Sequence, residues 1–255
     1  MLESLIIAFS TFSKIPMPHI GWTKKGMRYS ICFFPLVGAA AGAAEWLLFW
    51  LGGVMPEDRP FPVLLAPALL TAAPLLISGG IHLDGFLDTT DALLSYRNRE
   101  EKAAILKDPH MGAFAVIYGM LYVLLSFGLF TAVNRDAMRP VCAGFVLSRA
   151  MSGYALMAFP KARKDGMLRA EADNSAGSVK MVMFLEMLAA SAAVLALNPV
   201  TGGAVLAAAY LTLLLYHHVA MKEFGGVSGD LAGWFLSLCE LLMLGAAVTA
   251  GMIIG

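Results

Sequence analysis

Charge is what this 255-residue sequence has least of: Asp, Glu, Lys and Arg supply 14% of it, against 59% hydrophobic residues. A soluble domain carries about 25% charged and about 45–50% apolar residues. The 18 basic residues are matched by 18 acidic ones. That balance leaves no broad basic surface for nucleic acid, and the small charged fraction excludes a disordered or acidic solvating chain. Cysteine is equally sparse. Cys32, Cys142 and Cys239 each sit in an apolar stretch, with no CxxC or CxxH pair, which excludes a disulfide framework and a zinc site. Leu5–Phe12 is not expected to be a cleavable leader, having no basic segment before it and no small-residue cleavage site after it. Too short to span a bilayer, that stretch reads as an interfacial or re-entrant segment. There is no internal repeat of the kind expected of an inverted-repeat transporter.

Long apolar runs are what the chain does have. A spanning helix needs roughly 20 mostly apolar residues, and seven stretches qualify: Tyr29–Val54, Pro60–Ile81, Met111–Asn134, Pro140–Pro160, Met181–Leu197, Thr201–Met221 and Leu231–Ile254. The expected fold is therefore all-α, a polytopic integral membrane bundle of about seven transmembrane helices in the lipid bilayer, forming one domain over residues 1–255. Asn198-Pro199 divides the fifth run from the sixth, because Asn-Pro starts turns and Pro opens helices. With the N-terminus placed in the cytoplasm, 14 of the 18 basic residues fall in loops on that side. Arg59, Arg135 and Arg139 fall on the other, and Arg149 stays inside a span. The positive-inside bias thus predicts a multi-pass protein of the cell (inner) membrane with a cytoplasmic N-terminus. The cytoplasmic loops are the long, polar ones and carry the expected active face.

Chemistry concentrates just after the second run, in Gly79-Gly80-Ile81-His82-Leu83-Asp84-Gly85-Phe86-Leu87-Asp88-Thr89-Thr90-Asp91. On a helix, Asp84, Asp88 and Asp91 fall at offsets of 0, 4 and 7 and form one stripe. Three carboxylates with nothing basic among them ask for a cation, and hard oxygen donors suit Mg²⁺, which binds through one or two carboxylates plus substrate phosphates. The competing reading is a solvated helix face whose acids complement the helix dipole. On the same side of the membrane lie Lys107-Asp108-Pro109-His110 and the glycine turn Gly225-Gly226-Val227-Ser228-Gly229-Asp230. Glycines there would let backbone N–H groups approach a phosphate, and the alternative is a plain flexible link. Lys107 and the basic residues of the 161–164 loop are placed to hold phosphate oxygens, although that loop also reads as a topogenic signal. Acids, glycine turn and basic residues on one face point to metal-assisted phosphoryl transfer.

The string HLDGFLDTTDALLSYRNREEKAAILKDPHMGAF resembles the signature region of the cobalamin synthase family, the adenosylcobinamide-GDP ribazoletransferases. Phe34-Pro35-Leu36-Val37-Gly38, Ser148-Arg149-Ala150-Met151 and Gly225-Gly226-Val227-Ser228-Gly229-Asp230 extend the likeness along the chain. It departs from the family pattern at Ala92 and at Pro109-His110. The resemblance implies adenosylcobinamide-GDP and α-ribazole, or α-ribazole 5′-phosphate, as substrates, GMP as the leaving product, and Mg²⁺ as cofactor. Under it, Asp84, Asp88 and Asp91 are expected to hold metal. Asp108 or Asp230 would complete the metal shell or act as base, with His82 as a second candidate base or a plain polar helix start. Arg149 is expected either to contact substrate or to pair with Glu45, Glu186 or Glu240, since an unpaired Arg in a span is costly. Two other readings are a CDP-alcohol phosphatidyltransferase-like enzyme, whose DG-x₂-AR pattern Asp84-Gly85 does not continue, and an ion-coupled transporter with charges at mid-membrane. Small residues at Gly38–Gly42 permit the close helix packing of a homo-oligomer.

Overall fold

The computed structural model describes residues 1–54, 63–162 and 172–254. The expected Met55–Arg59 loop, the Pro60 start of the second run, and Arg163, Lys164 and Arg169 lie outside them. Eleven labelled helices follow in order: α1 Leu2–Phe12, α2 Lys24–Met27, α3 Phe34–Val54, α4 Leu65–Ser78, α5 Ile81–Leu94, α6 Arg99–Ile105, α7 Ala113–Ala132, α8 Arg135–Ala158, α9 Val179–Leu197, α10 Pro199–Val219 and α11 Gly229–Ile254. No strand occurs among the described residues.

Six of these helices are long and apolar enough to cross a membrane, seven if the bent pair α4 and α5 counts as one crossing. The protein is thus an all-α, multi-pass membrane bundle. The run from Met181 to Met221 breaks where the Asn-Pro pair predicts. α9 ends at Leu197, Pro199 opens α10, and the Asn198 side chain accepts the backbone N–H groups of Val200 and Thr201 at 3.0 and 3.1 Å. α1 is the short apolar helix expected at the start of the chain.

α8 and α11 form the centre of the bundle, with 67% and 61% of their spanning windows buried, whereas α7 and α9 have 22%. The outer helices therefore present their leucines and methionines to lipid. α3 lies tightly on α8 because Gly38 and Gly42 face the carbonyls of Phe145 and Cys142 with no room for a Cβ. The small-residue stripe that offered a route to oligomers is consumed inside the chain, in a contact of the small-xxx-small kind.

The long loops gather at one end of the bundle. Lys14 donates its N–H to the Ile77 carbonyl, Ala176 to that of Arg28, Ala162 to that of Val227, and Val227 to that of Pro160, a single parallel bridge between the 160–162 and 226–227 loops. Arg99 donates to the carbonyls of Met221 and Lys222 at 2.7 and 3.0 Å, and Lys102 meets Glu223 at 2.5 Å. These bonds tie α6 to the π-helical turn Ala220–Phe224 that ends α10.

Candidate active site

The chain reaches this end through an elbow. Gly79 and Gly80 both take left-handed backbone, with φ of +65° and +80°, a conformation glycine adopts without the Cβ penalty. Gly79 also packs against the Lys14 side chain, where a Cβ would collide. The two glycines turn α5 by 93° from α4. α5 is therefore not a straight continuation of the span but a helix laid across its end.

Helical periodicity then sorts the residues of α5. His82, Gly85, Phe86, Thr89, Thr90 and Ala92 are buried in the bundle, while Asp84 is exposed and Asp88 and Asp91 are half-buried. The acid stripe expected from the spacing is thus present on the outward face. Two glycines draw the fourth acid to it. A Cβ on Gly85 would strike the backbone of Asp230, and one on Gly233 would strike the backbone of His82, so α5 and α11 pack at near backbone contact. Asp230 joins the cluster: burial first, then the charges of Asp84, Asp230 and Asp91, push the Asp88 carboxyl up to about 6. Asp91 lies against Gly112, the residue that opens α7 and has no side chain where the carboxylate sits. The positive end of that helix dipole favours its charge.

Among the described residues no basic side chain pairs with Asp84, Asp88 or Asp91. Their mutual repulsion is the property a divalent cation would relieve. No three His, Cys, Asp or Glu side chains among the described residues are already drawn around one point. Carboxylate oxygens are the donors Mg²⁺ takes, one or two at a time beside waters and phosphate oxygens.

Other expected members of the site are placed elsewhere. Asp108 and Lys107 sit on the exposed loop before α7. Asp108 accepts the His110 N–H at 3.0 Å and lies 2.7 Å from His110 Nδ1, and these bonds hold its carboxyl below the usual range. It is engaged there and not with the acid stripe. The first amides of the glycine turn are taken by the protein itself. Gly226 N–H goes to the Ala220 carbonyl and Val227 N–H to that of Pro160. Gly225 and Gly226 are required because φ is +77° and +159° and because the Arg99 side chain and the 160–162 backbone press on them. Ser228 accepts the Leu231 N–H at 3.3 Å and so caps α11.

His82 and Arg149 form a different set. His82 is 8% exposed and turned inward, away from the acids, with Nδ1 3.5 Å from Arg149 Nη2. Arg149, 2% exposed, forms an ion pair with Glu240 and donates to Ser148 Oγ at 3.0 Å. Of the three candidate glutamates, Glu240 is the partner. Glu45 is fully buried with neither carboxyl oxygen bonded. His82 is thus turned onto Arg149 rather than toward the acids, and Arg149 is paired within the bundle. The packing glycines Gly85, Gly112 and Gly233 escaped the sequence reading, although a glycine inside an acidic helical stripe is a signal of close backbone approach.

A multi-pass membrane protein with a cluster of carboxylates at one end of its bundle has the parts of a transferase working at the membrane surface, and the comparisons name that class. The family model for cobalamin-5-phosphate synthase matches residues 4–248, and the chain belongs to that family. An adenosylcobinamide-GDP ribazoletransferase of Lachnoclostridium phytofermentans is 40% identical over 257 residues, covering 99% of this chain and 96% of the relative. Proteins of the same name from Desulfitobacterium hafniense (33% identical, 95% of each chain) and Clostridium perfringens strain 13 (32% identical, 95% of this chain and 97% of the relative) are also similar. No solved structure matches.

Proposed function

We propose that this protein transfers the phosphocobinamide group of adenosylcobinamide-GDP to α-ribazole or its 5′-phosphate, releasing GMP and completing the nucleotide loop of cobalamin. Family membership over nearly the whole chain carries this reading, and the four-acid cluster is compatible with its chemistry. The reaction takes place at the cytoplasmic face of the cell (inner) membrane, where the positive-inside count places the long loops. Asp84, Asp88 and Asp91 hold Mg²⁺, which supplies charge neutralisation on the diphosphate. A ribose hydroxyl of the ribazole attacks the phosphorus bound to the corrinoid. A P–O bond forms, the P–O bond to GMP breaks, and Asp230, facing Asp88 across the α5–α11 contact, takes the hydroxyl proton. The acid helix is braced by its glycine contacts with α11, so the backbone that carries the acids is fixed against that helix.

The test uses the full chain purified in detergent with adenosylcobinamide-GDP, α-ribazole and Mg²⁺. GMP is expected to appear with the metal and to disappear with EDTA. Absence of GMP in both conditions overturns the reading, and undiminished release in EDTA overturns the metal role alone.

A further inference from the structure

The end of the bundle away from the acids holds a cavity of about 520 Å³. Helix α4 relates the two ends: its last residue, Ser78, meets the elbow that carries α5, while its first turns line the cavity together with the end of α3, the end of α7 and the first residue of α8. Protein interiors are close-packed, with few voids larger than a water molecule. A space of this size is therefore no packing flaw, and it falls in the range of cavities that hold an organic ligand.

Helical spacing builds the walls. On α3, Trp46, Phe49, Trp50 and Gly53 stand at offsets of 0, 3, 4 and 7 and turn one mostly aromatic stripe to the cavity. The Trp46 and Phe49 rings lie 5.9 Å apart. Leu70 of α4 and Phe130 of α7 are 2% and 7% exposed, whereas Trp50 is 49% exposed and Arg135 lies open. The cavity thus runs from the inside of the bundle out to its surface.

One lining group is charged. Arg135 opens α8 and pairs with no carboxylate among the described residues. The sequence places only Arg59, Arg135 and Arg139 in the loops at this end, and one of those three borders an aromatic cavity. At the ends of membrane helices, Trp rings sit at headgroup level and Arg reaches into the polar layer. A wholly apolar ligand would leave the guanidinium unmatched, and a small hydrophilic anion would leave the rings unmatched. An amphiphile with a phosphate beside a long chain matches both, and the bilayer itself supplies it. Basic pockets between membrane helices take lipid headgroups for this reason.

We propose that the cavity is a binding site for one glycerophospholipid, with an acyl chain against Trp46, Phe49, Trp50 and Phe130 and the headgroup phosphate on Arg135. The site stands apart from the transferase reading, since it lies at the other end of the bundle from the acids.

The test uses the full chain purified in detergent and phosphatidylglycerol brominated along its acyl chains, because bromine quenches the fluorescence of a tryptophan it touches. Trp46 and Trp50 line the cavity, while Trp22 precedes α2 and Trp234 is buried in α11. Wild type is expected to show saturable quenching that ends at one lipid per chain. Replacing Trp46 and Trp50 together by Phe should remove the saturable part. Arg135→Gln should weaken binding by roughly 5-fold or more, the scale of one basic group near a headgroup. Its thermal unfolding midpoint should match wild type, because the exposed side chain has no ion pair to lose. Brominated diacylglycerol, which has the chains without the phosphate, should bind wild type as weakly as the phospholipid binds Arg135→Gln. Quenching that rises without saturation, or that survives loss of Trp46 and Trp50, overturns the site. Equal affinity of wild type for the phospholipid and the diacylglycerol overturns the role of Arg135, and this comparison decides alone if Arg135→Gln unfolds early.

Discussion

Two polar regions of this molecule lie on opposite faces of one helix and obey opposite rules. Inward from α5, Arg149 and Glu240 are sealed among apolar side chains with their charges cancelled, and His82 leans on them. Outward, Asp84, Asp88 and Asp91 share a face with no basic side chain among the described residues paired to them, and the charge of Asp230 is one of those that raise the Asp88 carboxyl. The inner set is what folding produces when charge must lie inside a membrane: each ion finds its opposite. The outer set is what folding alone would avoid. The difference teaches that in a mostly apolar chain it is the arrangement of charge, and not its presence, that separates scaffold from site.

The largest expected effect comes from the outer face. Asp88→Asn keeps the shape and removes one charge, and GMP release should fall by roughly 100-fold or more, the scale of losing one electrostatic group at a reacting centre. The midpoint of thermal unfolding should not fall, because a repulsion has been relieved. A variant retaining most of its turnover would break the distinction drawn between the faces.

Next in size is the reverse experiment on the inner face. Glu240→Gln leaves Arg149 buried with its counter-charge gone, which costs about 3–5 kcal/mol when one member of a buried pair is removed. Unfolding in detergent should shift to a much lower temperature. Exchanging both residues for methionine should recover most of that loss, since an apolar pair of similar volume is often neutral. If the double variant recovers stability and keeps its GMP release, the inner pair is scaffold. If stability returns and activity does not, Arg149 has a chemical role.

The smallest effect is the response to pH. The Asp88 carboxyl is raised from its ordinary value of 3.8 to about 6, so the folded protein binds more protons than the unfolded chain between those values. Stability in EDTA should therefore decline as pH rises through that window. Mg²⁺ should offset the decline, and Asp88→Asn should lack it. The check is the unfolding midpoint at pH 5 and pH 7, with and without the metal.

Much of this architecture could be read from residue order alone. The apolar runs and the Asn198-Pro199 break located the spans, since both rest on local rules of length and turn chemistry. The 0, 4, 7 spacing placed Asp84, Asp88 and Asp91 on one face for the same reason. What could not be read was which way the opposite face pointed. His82 lies in the same motif as the acids, and only the packing of α5 on α11 turns it toward Arg149. The glycine turn at Gly225-Gly226 has the composition of an anion-binding loop, yet its amides are taken by the Ala220 and Pro160 carbonyls, partners that only the tertiary fold supplies.

The Gly79-Gly80 elbow ends α4 after 14 residues, about 21 Å at the helical rise. The hydrocarbon layer is about 30 Å thick. Taken alone, α4 is shorter than that layer, and the 93° bend keeps α5 from adding its length along the same axis. The acid-bearing helix hangs directly from α4, so whatever fixes the depth of α4 also fixes the depth of the acids.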